Sequence, residues 1–439
     1  MRYVALLLAS VLAGCLRPPS PLGTESEVPR GGSQEAPAAF DGVSNGTVDQ
    51  ATFVADREVF DAVEDVADGL GPVYNAQSCR ECHQNPLSGG GSQVSELRVG
   101  HRDAQGRFEN PRITVAGGAA VIADRTLVND RAICPSAAFP DVELQEHVPE
   151  SETIRTFRIS LGLLGDGLVE AVPDEVLRQI AARQCRETQG RVCGRAISVP
   201  VLEAQDAYAI GRFGWKDQQA SLLSFAADAY LNEMGITSRL LPEDVTSLCD
   251  TVKDPEDKPG TDGLADIDRF ARFVRATKAP PRDLRLAATE EARKGSALFD
   301  RVGCATCHVR TLVTAPAGTR LHGGAYAVPE ALGERLFHPF GDFLLHDVGT
   351  GDGIALAVGE HHGRRYMSMQ PTFEVTAERL RTAPLWGVRT RSRLMHDGES
   401  LTLRAAILRH RGEADDSRKR FSCLPEVEQE ALLAFLRSL

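Results

Sequence analysis

The chain has 439 residues, 42% of them hydrophobic and 25% charged, with a formal charge of -12. That length suits two domains with ordinary cores. The acidic balance without basic clusters argues against a nucleic-acid partner and for a neutral or basic redox partner. No stretch reaches the ~18 uninterrupted apolar residues of a spanning helix.

In chain order, Met1 and Arg2 precede an apolar run over residues 4–12 that ends in Leu12-Ala13-Gly14-Cys15. A positive start, a short apolar run and small residues before a cysteine read as a bacterial lipoprotein signal over residues 1–14, with Cys15 lipidated. An ordinary secretory signal with an incidental cysteine is the alternative. The expected address is the periplasmic side of a bacterial envelope, with a lipid anchor in the membrane. Leu16, where Asp would retain the chain at the inner membrane, points to the outer one. Residues 15–50 carry Pro18, Pro19, Pro21, Pro29, Gly31, Gly32 and Pro37, and are expected to be a flexible tether.

Residues 53–70 place Phe53, Val54, Phe60, Val63, Val66 and Leu70 at helical spacing. They lead to Cys79-Arg80-Glu81-Cys82-His83. The pattern recurs at Cys304-Ala305-Thr306-Cys307-His308. A C-x-x-C-H run sets two thiols one helical turn apart, so both can bond the vinyl groups of one haem while the adjoining imidazole reaches its iron. A lone C-x-x-C is equally a redox dithiol or half a zinc site. Two C-x-x-C-H runs behind an export signal imply two covalently bound c-type haems, with His83 and His308 on the irons.

Short half-exposed strands are expected over residues 112–115 and 155–161. Helices are expected from Pro173, over residues 217–232 up to Gly235, and over residues 262–277, where Pro280-Pro281 ends the unit. Further helices are expected over residues 290–302, 401–410 and 425–436. The long Gly- and His-rich region 315–371 has no clear period and, beside a haem motif, reads as functional. The expected fold is mainly α: two cytochrome c-like haem domains, 51–281 and 282–439, with long loops and minor β. Beyond Cys15 and the haem thiols remain Cys134, Cys185, Cys193, Cys249 and Cys423. Cys185 and Cys193 frame a short loop and are the best disulfide pair. The pairing of the rest is undecided.

Three stretches, residues 211–238 (GRFGWKDQQASLLSFAADAYLNEMGITS), 342–353 (DFLLHDVGTGDG) and 381–414 (RTAPLWGVRTRSRLMHDGESLTLRAAILRHRGEA), resemble the di-haem oxidoreductase family of peroxidases and thiol oxidoreductases. More distantly, the chain is similar to bacterial di-haem cytochrome c peroxidases and MauG proteins. The resemblance implies that peroxide reacts at the N-terminal haem and that electrons pass through the C-terminal one, supplied by a small cytochrome or cupredoxin donor. Trp215 and the Glu233-Met234-Gly235 step match the peroxidase frame, which makes Glu233 the implied catalytic acid/base. The distal Gln of those relatives has no counterpart: its place falls near Ser224 or Phe225, while Gln218 and Gln219 come too early.

For the second iron the relatives use Met or Tyr, and Met395 with His396 are the first candidates here, ahead of Tyr366, Met367 and Met369. His101 is a candidate blocking ligand for the first haem or a plain surface residue. Arg212 and Arg389 are candidates to pair with haem propionates, and His346, His361, His362 and His410 to serve propionates or docking. The competing functions are a non-catalytic two-haem electron carrier and MauG-like oxidation of a protein or thiol.

Overall fold

In the computed structural model, residues 33–356 and 374–439 are described, together with the backbone of residues 360–361 and 364–365. Helix α1 (Gln50–Asp61) begins where the Asp49 side chain accepts from Thr52 N at 2.8 Å. It stops well before residue 70, because the acidic run after Ala62 turns on its own backbone, as in Leu70 N to Asp65 O. Helix α2 (Asp174–Glu187) follows Pro173. Helix α3 (Leu222–Met234) starts five residues later than its periodicity predicts. Asp217 has φ 53° and Phe213 pairs with Gln219 in a tight hairpin, so the Ser221 cap sets the start and Gly235 at φ 75° ends it. Helix α4 (Asp266–Ala276) lies against α1 and α3.

Further on, α5 (Glu290–Val302) matches its expected bounds, from the Thr289 cap to Gly303 at φ 99°. Helix α6 (Leu403–Arg409) is followed by α7 (Asp415–Cys423), which lies outside the expected elements, and by α8 (Glu426–Arg437) along α5.

The mainly α expectation does not hold. The described residues are 32% helix and 15% strand, the strands dispersed through eight small sheets. The largest is built on β1 (Ser95–Arg102), which pairs antiparallel with β2 (Phe108–Glu109), β3 (Leu127–Val128) and β4 (Ile154–Ile159). Alternation in Glu96-Leu97-Arg98-Val99 sends the charged pair to one face and the apolar pair to the other. Val99 joins Ile113, Val115 and Leu144 in a core closed by the Cys134–Cys249 disulfide. Cys185 and Cys193 form the second bridge. Strands β5 (Leu345–His346) and β6 (Leu380–Arg381) pair with each other near the middle of the molecule.

Two separate cytochrome-like helical units are not evident either. The main apolar cluster joins Phe53, Phe60, Phe270 and Phe273 to Val309, Phe337 and Trp386, residues from both sides of Pro280-Pro281. Burying each such ring contributes about 1.5–3 kcal/mol. A second cluster fills the space between α5 and α8 around Phe299, Phe421 and Phe435. Of the segment expected to be a tether, Gln34 and Glu35 pair in parallel with Arg335 and Leu336, and Ala36 is buried. No helix among the described residues is long and apolar enough to cross a membrane.

Candidate functional site

Cys79–Cys82 is a single helical turn capped by Ser78. His83 N donates to Cys79 O at 3.0 Å, which holds the imidazole beside both thiols. His83 Nδ1 lies 3.3 Å from Gly90 O, and its ring stands 6.4 Å from Phe60 at 52°. The second motif repeats this geometry after Gly303: His308 N reaches Cys304 O at 3.0 Å, Nδ1 lies 3.0 Å from Phe340 O, and the ring stands 6.4 Å from Phe299 at 52°. A carbonyl can only accept, so the facing Nδ1 carries the hydrogen and Nε2 keeps the lone pair a metal needs. All four motif cysteines are free thiols. Burial pushes the Cys82 and Cys304 thiols up to about 12. The donor set fits haem attachment at both motifs.

The first motif opens into a cavity of about 460 Å³, bordered by Cys79, Cys82 and His83 on one side and by α3 and β1 on the others. This lies in the size range of cofactor sites. Glu233, near the end of α3, faces it and is 27% exposed, while Asn75 Nδ2 donates to Glu233 Oε2 at 3.0 Å. Sequence reasoning missed its neighbours. Glu96 and Arg98 project from β1 into the same cavity; Arg98 Nε donates to Glu96 Oε1 at 2.7 Å, and Arg98 Nη2 is 3.9 Å from Glu233 Oε1. Burial and then the Glu96 charge hold the Glu233 carboxyl protonated well above the usual range. Burial opposes ionisation of Glu96 as well, but Arg98 outweighs it and keeps that carboxyl low. Arg98 thus touches both carboxyls, and the charge of Glu96 favours the protonated form of Glu233.

Gln218 and Gln219 also line the cavity, as does Phe225. Ser224 is buried and donates to Glu203, so it takes no distal role. Trp215 borders the cavity, donates Nε1 to Ile159 O at 2.8 Å, and meets the His396 ring edge-on at 6.1 Å. His101 sits within β1 rather than in a loop; its ring nitrogens face Glu152 at 2.9 Å and Glu109 at 3.3 Å. That anchorage corrects the swinging-ligand idea.

Met395 occupies a turn at φ 66°, and its neighbour His396 is buried against Trp215 with Nδ1 unpartnered. Tyr366, Met367, Met369 and His362 lie outside the described residues, as does the His361 side chain. His346 is 3.7 Å from Cys307 Sγ, and its ring nitrogens meet Asp342 at 2.9 Å and Glu413 at 2.8 Å. With a carboxylate at each nitrogen it carries both hydrogens.

The propionate candidates change. Arg212 is fully buried on the Ile210 and Val172 carbonyls and on Asp174, and Arg389 donates to Pro281 O and Leu439 O. Arg381 instead lies between the two motifs: its Nε donates to Gly214 O at the first cavity, and its strand pairs with that of His346 beside Cys307. Arg381 Nε also lies 3.8 Å from Asp217 Oδ1, while Arg381 Nη1 and both Asp217 carboxylate oxygens are buried without a hydrogen-bond partner. Burial and then Arg381 lower the nearby Arg391 to about 10, while burial raises Asp166 to about 7. A buried guanidinium with one nitrogen left without a hydrogen-bond partner, as in Arg381, suits a carboxylate ligand.

Among solved structures, one of Kuenenia stuttgartiensis hydrazine synthase pressurized with 20 bar xenon is similar over 93% of this chain and 90% of that chain, at 13% identity and a TM-score of 0.40. No curated protein matches the chain. Residues 99–439 match the family described as "Di-haem oxidoreductase, putative peroxidase", a span that holds the second motif, Trp215 and Glu233 and begins after the first motif. The chain therefore belongs to the di-haem oxidoreductase family, a family of haem-iron enzymes.

Proposed function

We propose that this oxidoreductase is a peroxidase-like enzyme whose first cavity reduces peroxide or a related oxidant with electrons entering at the second motif. In this reading Cys79 and Cys82 bind one haem and Cys304 and Cys307 the other through thioethers, with His83 and His308 as iron ligands. Bound haem supplies the iron centre and the one-electron chemistry. One peroxide, two protons and two electrons become two waters.

The observation that supports this reading best is the carboxyl pair. Glu233 and Glu96, both reached by Arg98, face the cavity that His83 borders, and in this reading they share one proton, Glu233 protonated and Glu96 ionised. Glu96 can accept the proton of the near peroxide oxygen while Glu233 gives its own to the far oxygen, so the pair ends where it began with its proton exchanged. Arg98 and Asn75 orient the pair. Phe60 and Phe225 give the cavity an apolar wall beside the carboxyls.

The small donor is expected to be neutral or basic, given the net charge of -12. Envelope localisation and a lipid anchor at Cys15 rest on residues 1–15; mass measurement of the mature N-terminus tests them. One peroxide per two electrons should reoxidise the fully reduced protein rapidly, and inertness makes it a two-haem electron carrier instead. A second reading, outward oxidation of a bound protein or thiol, draws on Trp215 and His396. His396 lines a surface-open cavity of about 700 Å³.

A further inference from the structure

Three described histidines rest Nδ1 on a main-chain carbonyl: His83 on Gly90, His308 on Phe340, and His410 on Ala406 at 2.8 Å. The first two follow the haem-attachment thiols. Of the other described histidines, His101 and His346 face carboxylates, His338 meets Thr311 and Glu35, His322 and His396 have unpartnered ring nitrogens, and His147 is exposed. His410 thus shares the tautomer of the two motif histidines. Its Nδ1 hydrogen is fixed by a carbonyl, which leaves Nε2 as a lone pair.

Its place in the fold connects it to both thiols of the second motif. Helix α6 starts at the Thr402 cap, and Leu403 and Ile407 pack with Cys304 and Ala305 on the Phe299 cluster. His410 lies seven residues after Leu403 and three after Ile407, on the same helical face. Leu385, Leu394, Leu403 and Ile407 are all only partly buried around that cluster, which leaves an apolar surface beside the second motif. Beyond His410 the chain is anchored on the other thiol's side: Arg411 N reaches Val348 O at 2.7 Å, Glu413 N reaches Asp347 O at 2.8 Å, and Glu413 holds His346 against Cys307.

We propose that His410 Nε2 is the sixth iron ligand of the haem bound by Cys304, Cys307 and His308, which makes that haem bis-histidine. The assignment rests on the haem reading above and replaces Met395 as the candidate. It implies a saturated iron that changes oxidation state without binding peroxide. It also implies a lower reduction potential than a thioether ligand would set.

The test uses the full-length holoprotein, its H410M and H410A variants, a haem count by pyridine haemochrome, and near-infrared and EPR spectra with potentiometry. Wild type should hold two haems, one low-spin with a histidine/histidine band. H410M should keep both haems, move that band to its histidine/methionine position and raise the potential. H410A should turn the same haem high-spin. Two haems with an unchanged low-spin spectrum in H410M, or in H410A if only that variant folds, overturn the assignment and leave the haem reading standing. A wild-type chain without a haem on Cys304 and Cys307 overturns both.

Discussion

Glu233 and Glu96 line the first cavity together, one from the end of a helix and the other from the second position of a strand, and Arg98 reaches both, at 2.7 Å from Glu96 Oε1 and 3.9 Å from Glu233 Oε1. Arg98 beside Glu96 favours the ionised form of that carboxyl, and the charge on Glu96 in turn favours the protonated form of Glu233. We expect E233Q to slow peroxide turnover by about 10²–10⁴-fold, the usual worth of a positioned acid/base. E96Q removes the charge that raises Glu233, so the Glu233 pKa falls and the alkaline limb of the rate profile moves to lower pH. Stopped-flow peroxide kinetics across pH check both, and an unchanged profile in E96Q removes the shared-proton account.

The buried guanidinium groups between the motifs lead to a second expectation. R381Q removes a cation from between the haem sites, which disfavours the reduced form, so at least one midpoint potential should fall. A charge-assisted hydrogen bond is worth about 1.5–3 kcal/mol. R391Q should act in the same direction. R389Q should leave the potentials unchanged, because Arg389 is held by Pro281 O and Leu439 O. Equal potentials in wild type and R381Q would show that this group neutralises no propionate.

What could be read in the sequence was the chemistry compressed into a few consecutive residues. Two thiols and an imidazole within five positions carry their geometry with them, and the Thr289 cap with Gly303 marks α5 to the residue. A strand at 155–161 was expected and forms at Ile154–Ile159, but Ser95–Arg102 was missed because it alternates over too few apolar residues to stand out, and its pairing with 127–128 and 154–159 is long-range. Glu96 went unnoticed for the same reason: its cavity is assembled only when Glu96 aligns with Arg158 on β4 and α3 brings Glu233 opposite. The arginines show the limit most plainly. Nothing local separates Arg212, buried on main-chain carbonyls, from Arg381, which keeps an unpartnered nitrogen in the gap.

Asp352 offers a stability test at the wall of the first cavity, which its partners Arg158 and Lys216 line. Its carboxylate meets Lys216 at 2.8 Å and Arg158 at 2.7 Å, and Lys216 also donates to the Thr376, Ala377 and Arg379 carbonyls. Arg158, then Lys216, outweigh the effect of burial and push Asp352 down to about 2. D352N leaves two buried cations uncompensated and should cost about 3–5 kcal/mol in denaturant unfolding. D141N, at an exposed position, should stay within about 0.5 kcal/mol of wild type. Similar losses in the two variants would mean that solvent reaches the Asp352 cluster.

A last expectation concerns pH and the loop that carries Asp244, Asp250, Asp254 and Glu256, whose ligand-type oxygens lie within 4.8 Å of one another. Burial, then Glu256, Asp254 and Asp250, raise Asp244 to about 9, and burial raises Glu256 to about 7. An unfolded chain releases these protons near pH ~4. Between that value and the raised folded ones, the native state binds more protons than the unfolded state, so stability falls as pH rises. The contribution is fully present below pH ~4 and lost by pH ~9. The urea midpoint should therefore drop between pH 5 and pH 9, and D244N, neutral at every pH, should flatten the drop. Equal slopes for wild type and D244N would show that Asp244 is ionised in the folded protein and that the cluster is wet.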